Sequence, residues 1–174
     1  TFAAQASRVS VLQNSGRFAS FGWASHLSSG AGDEGMNQAV SFVVKCCSNA
    51  AELFAQPVSV DTATGTLSFA PERNRVGQCL CRVYLVDDGP GEHPNVNQSS
   101  AVDVDVTVVA VNQPPTLSVP NRSVTVVARA APFALANFVT SITPGPANEV
   151  SQTVRTTAIV SSGSSIFAVA PQVV

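Results

Sequence analysis

Apolar and polar residues alternate along much of the chain. Val40, Phe42 and Val44 are interleaved with Ser41, Val43 and Lys45, and Val102, Val104, Val106 and Val108 with Asp103, Asp105, Thr107 and Val109. A period of two marks a strand with one buried face. Val83 and Leu85 continue an alternation begun by Cys79 and Cys81, which ends at Asp87-Asp88-Gly89-Pro90-Gly91. Thr66-Leu67-Ser68-Phe69 follows Asp61-Thr62-Ala63-Thr64-Gly65, a turn-rich approach to a strand. Strands are expected near residues 8–12, 18–27, 38–47, 54–60, 66–70, 77–86 and 101–111. No segment combines helical periodicity with caps. Seven short strands in roughly 110 residues predict an all-β fold, a Greek-key β-sandwich.

The chain also repeats itself, a signal that decides architecture before any local reading does. Phe18-Ala19-Ser20-Phe21-Gly22-Trp23 returns as Phe133-Ala134-Leu135-Ala136-Asn137-Phe138, an offset of 115 residues. The same offset carries Thr1-Phe2 onto Thr116-Leu117, Val9 onto Val124, Val11 onto Val126, Leu27 onto Ile142, Gly30 onto Gly145 and Glu34 onto Glu149. After a one-residue gap, Gln38-Ala39-Val40 maps onto Gln152-Thr153-Val154, and Phe54-Ala55 returns as Phe167-Ala168. The expected organisation is therefore tandem. Residues 1–113 form one complete repeat; residues 114–174 hold a Pro114-Pro115 linker and the first half of a second, incomplete copy. Two prolines fix φ and make the junction stiff.

A half-sandwich exposes strand edges and an open apolar face. Residues 1–174, which open at Thr1 without a signal peptide, thus read as a piece of a larger assembly. Either following sequence or another subunit supplies the missing strands.

Composition narrows the partners. Charged residues are 11% of the chain against 45% hydrophobic, and the net charge is −2. No basic cluster exists to hold nucleic acid or an anionic membrane. The most apolar stretch, Val124 to Val139, is interrupted by Arg129 and Pro132, so no membrane span is expected. Cys46-Cys47 and Cys79-Cys81 can be read as buried thiols, as metal ligands or as disulfides. Neither pair has the usual zinc spacing, and His26 and His93 stand apart. An even cysteine count beside two sequons, Asn97-Gln98-Ser99 and Asn121-Arg122-Ser123, favours disulfides, N-linked glycans and the secretory pathway. The expected location is extracellular or at the cell surface.

Four segments carry a family likeness: ITPGPANEVSQTV at 142–154, TGTLSFAP at 64–71, VYLVDDG at 83–89 and VNQPPTLSVP at 111–120. The chain resembles the cadherin-like and immunoglobulin-like tandem repeats of very large surface and adhesion proteins. Similar repeats occur in bacterial adhesins and in algal flagellar hairs (mastigonemes). The resemblance implies a structural module whose partners are neighbouring repeats or copies of the same protein; the rival reading is an adhesion module. Cadherin-type repeats bind calcium at domain junctions, but Gln113 stands where that family often has Asp, which argues against a metal here. In a sandwich of this kind the third and sixth strands are antiparallel neighbours. Cys46 is then expected opposite Cys81, and Cys47 bonded to Cys79 where the strand breaks toward Ser48-Asn49.

Candidate chemistry is sparse. Gly30-Ala31-Gly32-Asp33-Glu34-Gly35 spells the dinucleotide fingerprint, but a strand rather than a helix follows it, and two acids would repel phosphate. Asp87, Asp88 and Glu92 read as a solvated turn, and Trp23 and Phe138 as core aromatics. No nucleophile elbow, phosphate loop or catalytic relay is present. The expectation is no enzyme, no cofactor and no metal. An adhesive role would fall to the loops at 28–37 or 87–98.

Overall fold

The structure, a computed structural model, describes residues 1–30, 38–92, 96–120, 123–127 and 131–173. It divides into two units, Thr1–Val111 and Asn112–Val174. The first unit contains β1 (Ala3–Ala4), β2 (Arg8–Leu12), β3 (Phe18–Ser20), β4 (Ala24–Ser25), β5 (Val40–Cys46), a short helix α1 (Ala50–Leu53), β6 (Phe54–Val60), β7 (Leu67–Pro71), β8 (Gly77–Asp87) and β9 (Val102–Val109). Among the described residues the chain is all-β apart from that helix and short turns of 3-10 helix.

Two sheets make up the body of the first unit, in the orders β2-β9-β8-β5 and β3-β7-β6, beside a two-stranded ladder β1-β4. Strand β2 runs parallel to β9; the remaining pairings are antiparallel. Alternation sets which residues face inward. Val104, Val106 and Val108 of β9 and Cys79, Cys81, Val83 and Leu85 of β8 are buried, whereas Asp103 points out and meets Arg82 at 3.4 Å. That exposed ion pair is worth at most about 1 kcal/mol, so apolar burial holds the sheets together.

Trp23 is the largest fully buried side chain, its indole N–H donating to the Ala6 carbonyl at 2.9 Å. Phe2 meets Phe42 edge-on at 5.2 Å, and Phe18 and Phe54 flank Phe69 at 5.0 and 5.4 Å.

Two features depart from the sequence reading. The strand expected over 18–27 is broken: β3 ends at Ser20, Gly22 adopts φ +62°, and the chain resumes as β4, which pairs with β1 while β3 pairs with β7. A left-handed residue turns the chain here and lets Trp23 enter the core. The other is α1, which carries the chain from β5 to β6 and buries Leu53. At four residues it is too short for a helical period to register in the sequence.

In the second unit, β10 (Thr116–Ser118) pairs antiparallel with β11 (Ser141–Thr143), with Thr116 opposite Thr143 and Leu117 opposite Ile142. Residues 123–127, 133–135 and 153–160 belong to no strand. A groove of about 410 Å³ opens between the β10–β11 ladder and the segment 154–158, lined by Leu117, Phe138, Ile142 and Val154 among others.

Candidate functional site

The first unit has two distinct ends. At one, Cys46, the last residue of β5, sits in register with Cys81 of β8, and the two are bonded. Cys47 lies just past the strand, its N–H donating to the Leu80 carbonyl at 3.1 Å, and bonds to Cys79. Cys79 and Cys81 project inward from alternate positions of β8, as the pleat requires. Leaving the regular strand frees Cys47 from that alternation, so neighbouring cysteines reach sulfurs on one face. The sulfurs of Cys46, Cys79 and Cys81 lie within 4.8 Å of one another, but every cysteine is in a bridge and offers no thiolate to a metal. The last residues of β9 and β2 reach this same end, since Gly77 pairs with Val108 and Leu12 with Val109.

The opposite end lies six residues along β5, about 20 Å away, where Val40 pairs with Asp87. Thr1 closes onto Ser28 there, its amino group donating to the Ser28 carbonyl and its carbonyl accepting the Ser28 N–H at 2.9 Å. The turn after β8 is organised by its own acids: Asp87 accepts from Gly89 N–H at 2.9 Å and Asp88 from Ala39 N–H at 3.0 Å. A cleft of about 130 Å³ lies among Thr1, Ser28, Gly30, Asp87, Gln98 and Ser99. Small-molecule pockets occupy roughly 300–1,000 Å³, so this cleft is undersized for a ligand site. Residues 31–37 and 93–95, which include most of the glycine-rich motif and His93, lie outside the described residues.

Asn97 sits beside this cleft, half-buried, its Nδ2 3.4 Å from the Gly89 carbonyl and its own carbonyl accepting the Asp87 N–H at 3.0 Å. The hydroxyl of Ser99 accepts the Leu85 N–H at 3.0 Å. Asn121, the other sequon residue, lies outside the described residues. Asp87 and Asp88 spend carboxylate oxygens on backbone N–H groups, and Glu92 is exposed. His26 is exposed, with Ser25 Oγ 3.1 Å from its Nδ1.

A feature that sequence reasoning missed lies in the second unit. Glu149 is buried at 4% exposure, and both its carboxylate oxygens accept the backbone N–H of Gln113, at 2.9 and 3.2 Å. Gln152 Nε2 donates to Asn112 Oδ1 at 2.9 Å. The loop after β11 thus grips the two residues preceding Pro114-Pro115. Its sequence signal was the Glu34–Glu149 equivalence, which placed an acid at this loop in each copy but gave it no partner. Glu34 lies outside the described residues; Gln38, the counterpart of Gln152, has a buried Oε1 with no hydrogen-bond partner among them.

No helix among the described residues is long and apolar enough to cross a membrane. No known protein family, curated protein or solved structure matches this chain.

Proposed function

We propose that this chain is a non-catalytic structural segment of a large secreted or cell-surface protein. It is read as tandem Greek-key sandwiches of the immunoglobulin or cadherin kind, working in a filament or flagellar-hair-like assembly. The observation that carries the reading is the recurrence of two backbone details at the 115-residue offset, although the register beside them shifts by one: Ala3 pairs with Ser25, whereas its counterpart Ser118 pairs with Ser141, the counterpart of His26. Thr1 pairs with Ser28 as Thr116 pairs with Thr143, and Gly22 and Asn137 are both left-handed, at φ +62° and +57°. Asn is the residue that most readily replaces Gly in that conformation.

Two bridges favour an oxidising, extracellular setting. The Glu149 grip on Gln113 suits a repeat that fixes its own lead-in segment. Gln38 Oε1, at the equivalent loop of the first unit, has no hydrogen-bond partner among the described residues, which also fits this role. The adhesive alternative would use the loop end of the first unit, whose cleft is small; it is the weaker reading.

Electron microscopy of the parent assembly tests the proposal. Regularly spaced domains along a fibre are expected. Isolated particles, together with specific retention of residues 1–174 on a glycan or protein array, would replace it with the adhesive reading.

A further inference from the structure

The sheet β2-β9-β8-β5 ends at β5, which pairs with β8 on one side only. The bonds flanking that ladder fix which backbone groups remain free. Asp88 N–H donates to the Ala39 carbonyl and Cys47 N–H to the Leu80 carbonyl, each at 3.1 Å. Bonded pairs alternate along an antiparallel ladder, so Ser41, Val43 and Lys45 bond to β8. Val40, Phe42, Val44 and Cys46 then direct N–H and C=O away from the sheet. Among the described residues, no hydrogen bond reaches those groups.

Side-chain burial falls off toward the same edge. Cys79, Cys81, Val83 and Leu85 of β8 are buried, whereas Val40, Phe42, Val44 and Cys46, on the same inner face, are half-buried. An uncovered edge is a template for another strand. The other edges of the two sheets are blunted: β3 spans three residues, β6 holds Pro57 and two register shifts, and β2 runs only five residues from Arg8. Strand β5 is seven residues long, free of proline and glycine, and in unbroken register with β8.

We propose that the β5 edge binds β5 of a second copy of this chain, antiparallel about a two-fold axis at Val43. That register sets Val40 opposite Cys46 and Phe42 opposite Val44, the residues with free groups, for about eight backbone hydrogen bonds. A shift in either direction leaves at least one of the four unpaired. On the outer face Val43 meets its own counterpart and Lys45 meets Ser41, so the strand's one charge faces a hydroxyl. A two-fold contact closes on itself, so the pairing joins two chains side by side. This goes beyond the structural reading proposed above and rests on the first unit alone.

The test uses oxidised residues 1–174. Sedimentation should show a weak, concentration-dependent dimer, since a single strand pair makes a small interface. Amide exchange at Val40, Phe42, Val44 and Cys46 should slow about 10-fold or more on dimerisation, with Ser41, Val43 and Lys45 protected in monomer and dimer alike. Val43 is 37% exposed, so Val43→Lys should fold normally. By setting two ammonium groups against each other at the axis, it should weaken the dimer about 10-fold. In Val43→Cys the new sulfurs would face one another as those of Cys46 and Cys81 do, and oxidised glutathione should cross-link the copies. Lys45→Cys alone should not cross-link, because Ser41 lies opposite. A chain that stays monomeric up to about 1 mM, or a dimer indifferent to Val43→Lys, would overturn the inference. So would cross-linking through Lys45→Cys in place of Val43→Cys. Slow exchange at Val40, Phe42, Val44 and Cys46 in the monomer would also overturn it, showing that another segment of this chain already covers the edge.

Discussion

Single residues in the first unit differ sharply in what they tolerate. Gly65 has φ +64°, and a β-carbon built on it would lie 1.9 Å from the Ala24 carbonyl oxygen. Its own carbonyl accepts the Ala24 N–H at 2.9 Å, so neither backbone can retreat without losing that bond. Gly65→Ala is therefore expected to cost about 2–4 kcal/mol in denaturant unfolding. Gly22 is also left-handed but has open space around it. Since Asn137 fills that place in the second unit, Gly22→Asn should cost under about 1 kcal/mol. The two bridges are nested, at separations of 35 and 32 residues. Removing both should cost about 5–6 kcal/mol, but removing either alone only about 2, because the survivor still closes the long loop. Equal and additive losses would contradict this. Asp61 is fully exposed, and hydrogen bonds from the Thr64 hydroxyl and N–H lower its pKa below 3.8. A lowered folded value contributes stability above the ordinary carboxylate pKa, and that contribution is lost as pH falls through the folded value. An NMR titration of the Asp61 carboxyl should show a midpoint below 3.8, moving up toward that value in Thr64→Ala.

At the scale of elements, alternation made β5, β8 and β9 legible because each has one wet and one dry face. The same contrast predicts the effect of mutation: Val104→Ala should cost about 1–3 kcal/mol, while Thr107→Ala, three residues along the same strand, should stay within about 0.5. Urea midpoints compared at constant slope would measure both. Local pattern failed where tertiary context decides. The break between β3 and β4 was not legible, because a single glycine marks it: Gly22 turns the backbone through a left-handed φ, and Phe18 and Trp23 lie on opposite phases of the strand period. Helix α1 was hidden by its length. The disulfide pairing could be reasoned out because strand adjacency and the pleat constrain it. Glu149 was visible as a residue, but its grip on Gln113 was not, since the partner is a backbone N–H that no side-chain pattern marks.

For the whole molecule, two backbone details recur at the 115-residue offset, the Thr1–Ser28 and Thr116–Thr143 pairs and the left-handed Gly22 and Asn137, while the ladders beside them differ in register by one residue. In the second unit, β10 and β11 form a ladder, and residues 123–127, 133–135 and 153–160 belong to no strand. Solution NMR of residues 1–174 under oxidising conditions tests this most directly. Cross-strand contacts between Leu117 and Ile142, a left-handed Asn137, and rapidly exchanging amides at 123–127, 133–135 and 154–160 are expected. Stable hydrogen-bonded strands at those three segments, or a helix anywhere in 116–173 longer than a single turn, would contradict it.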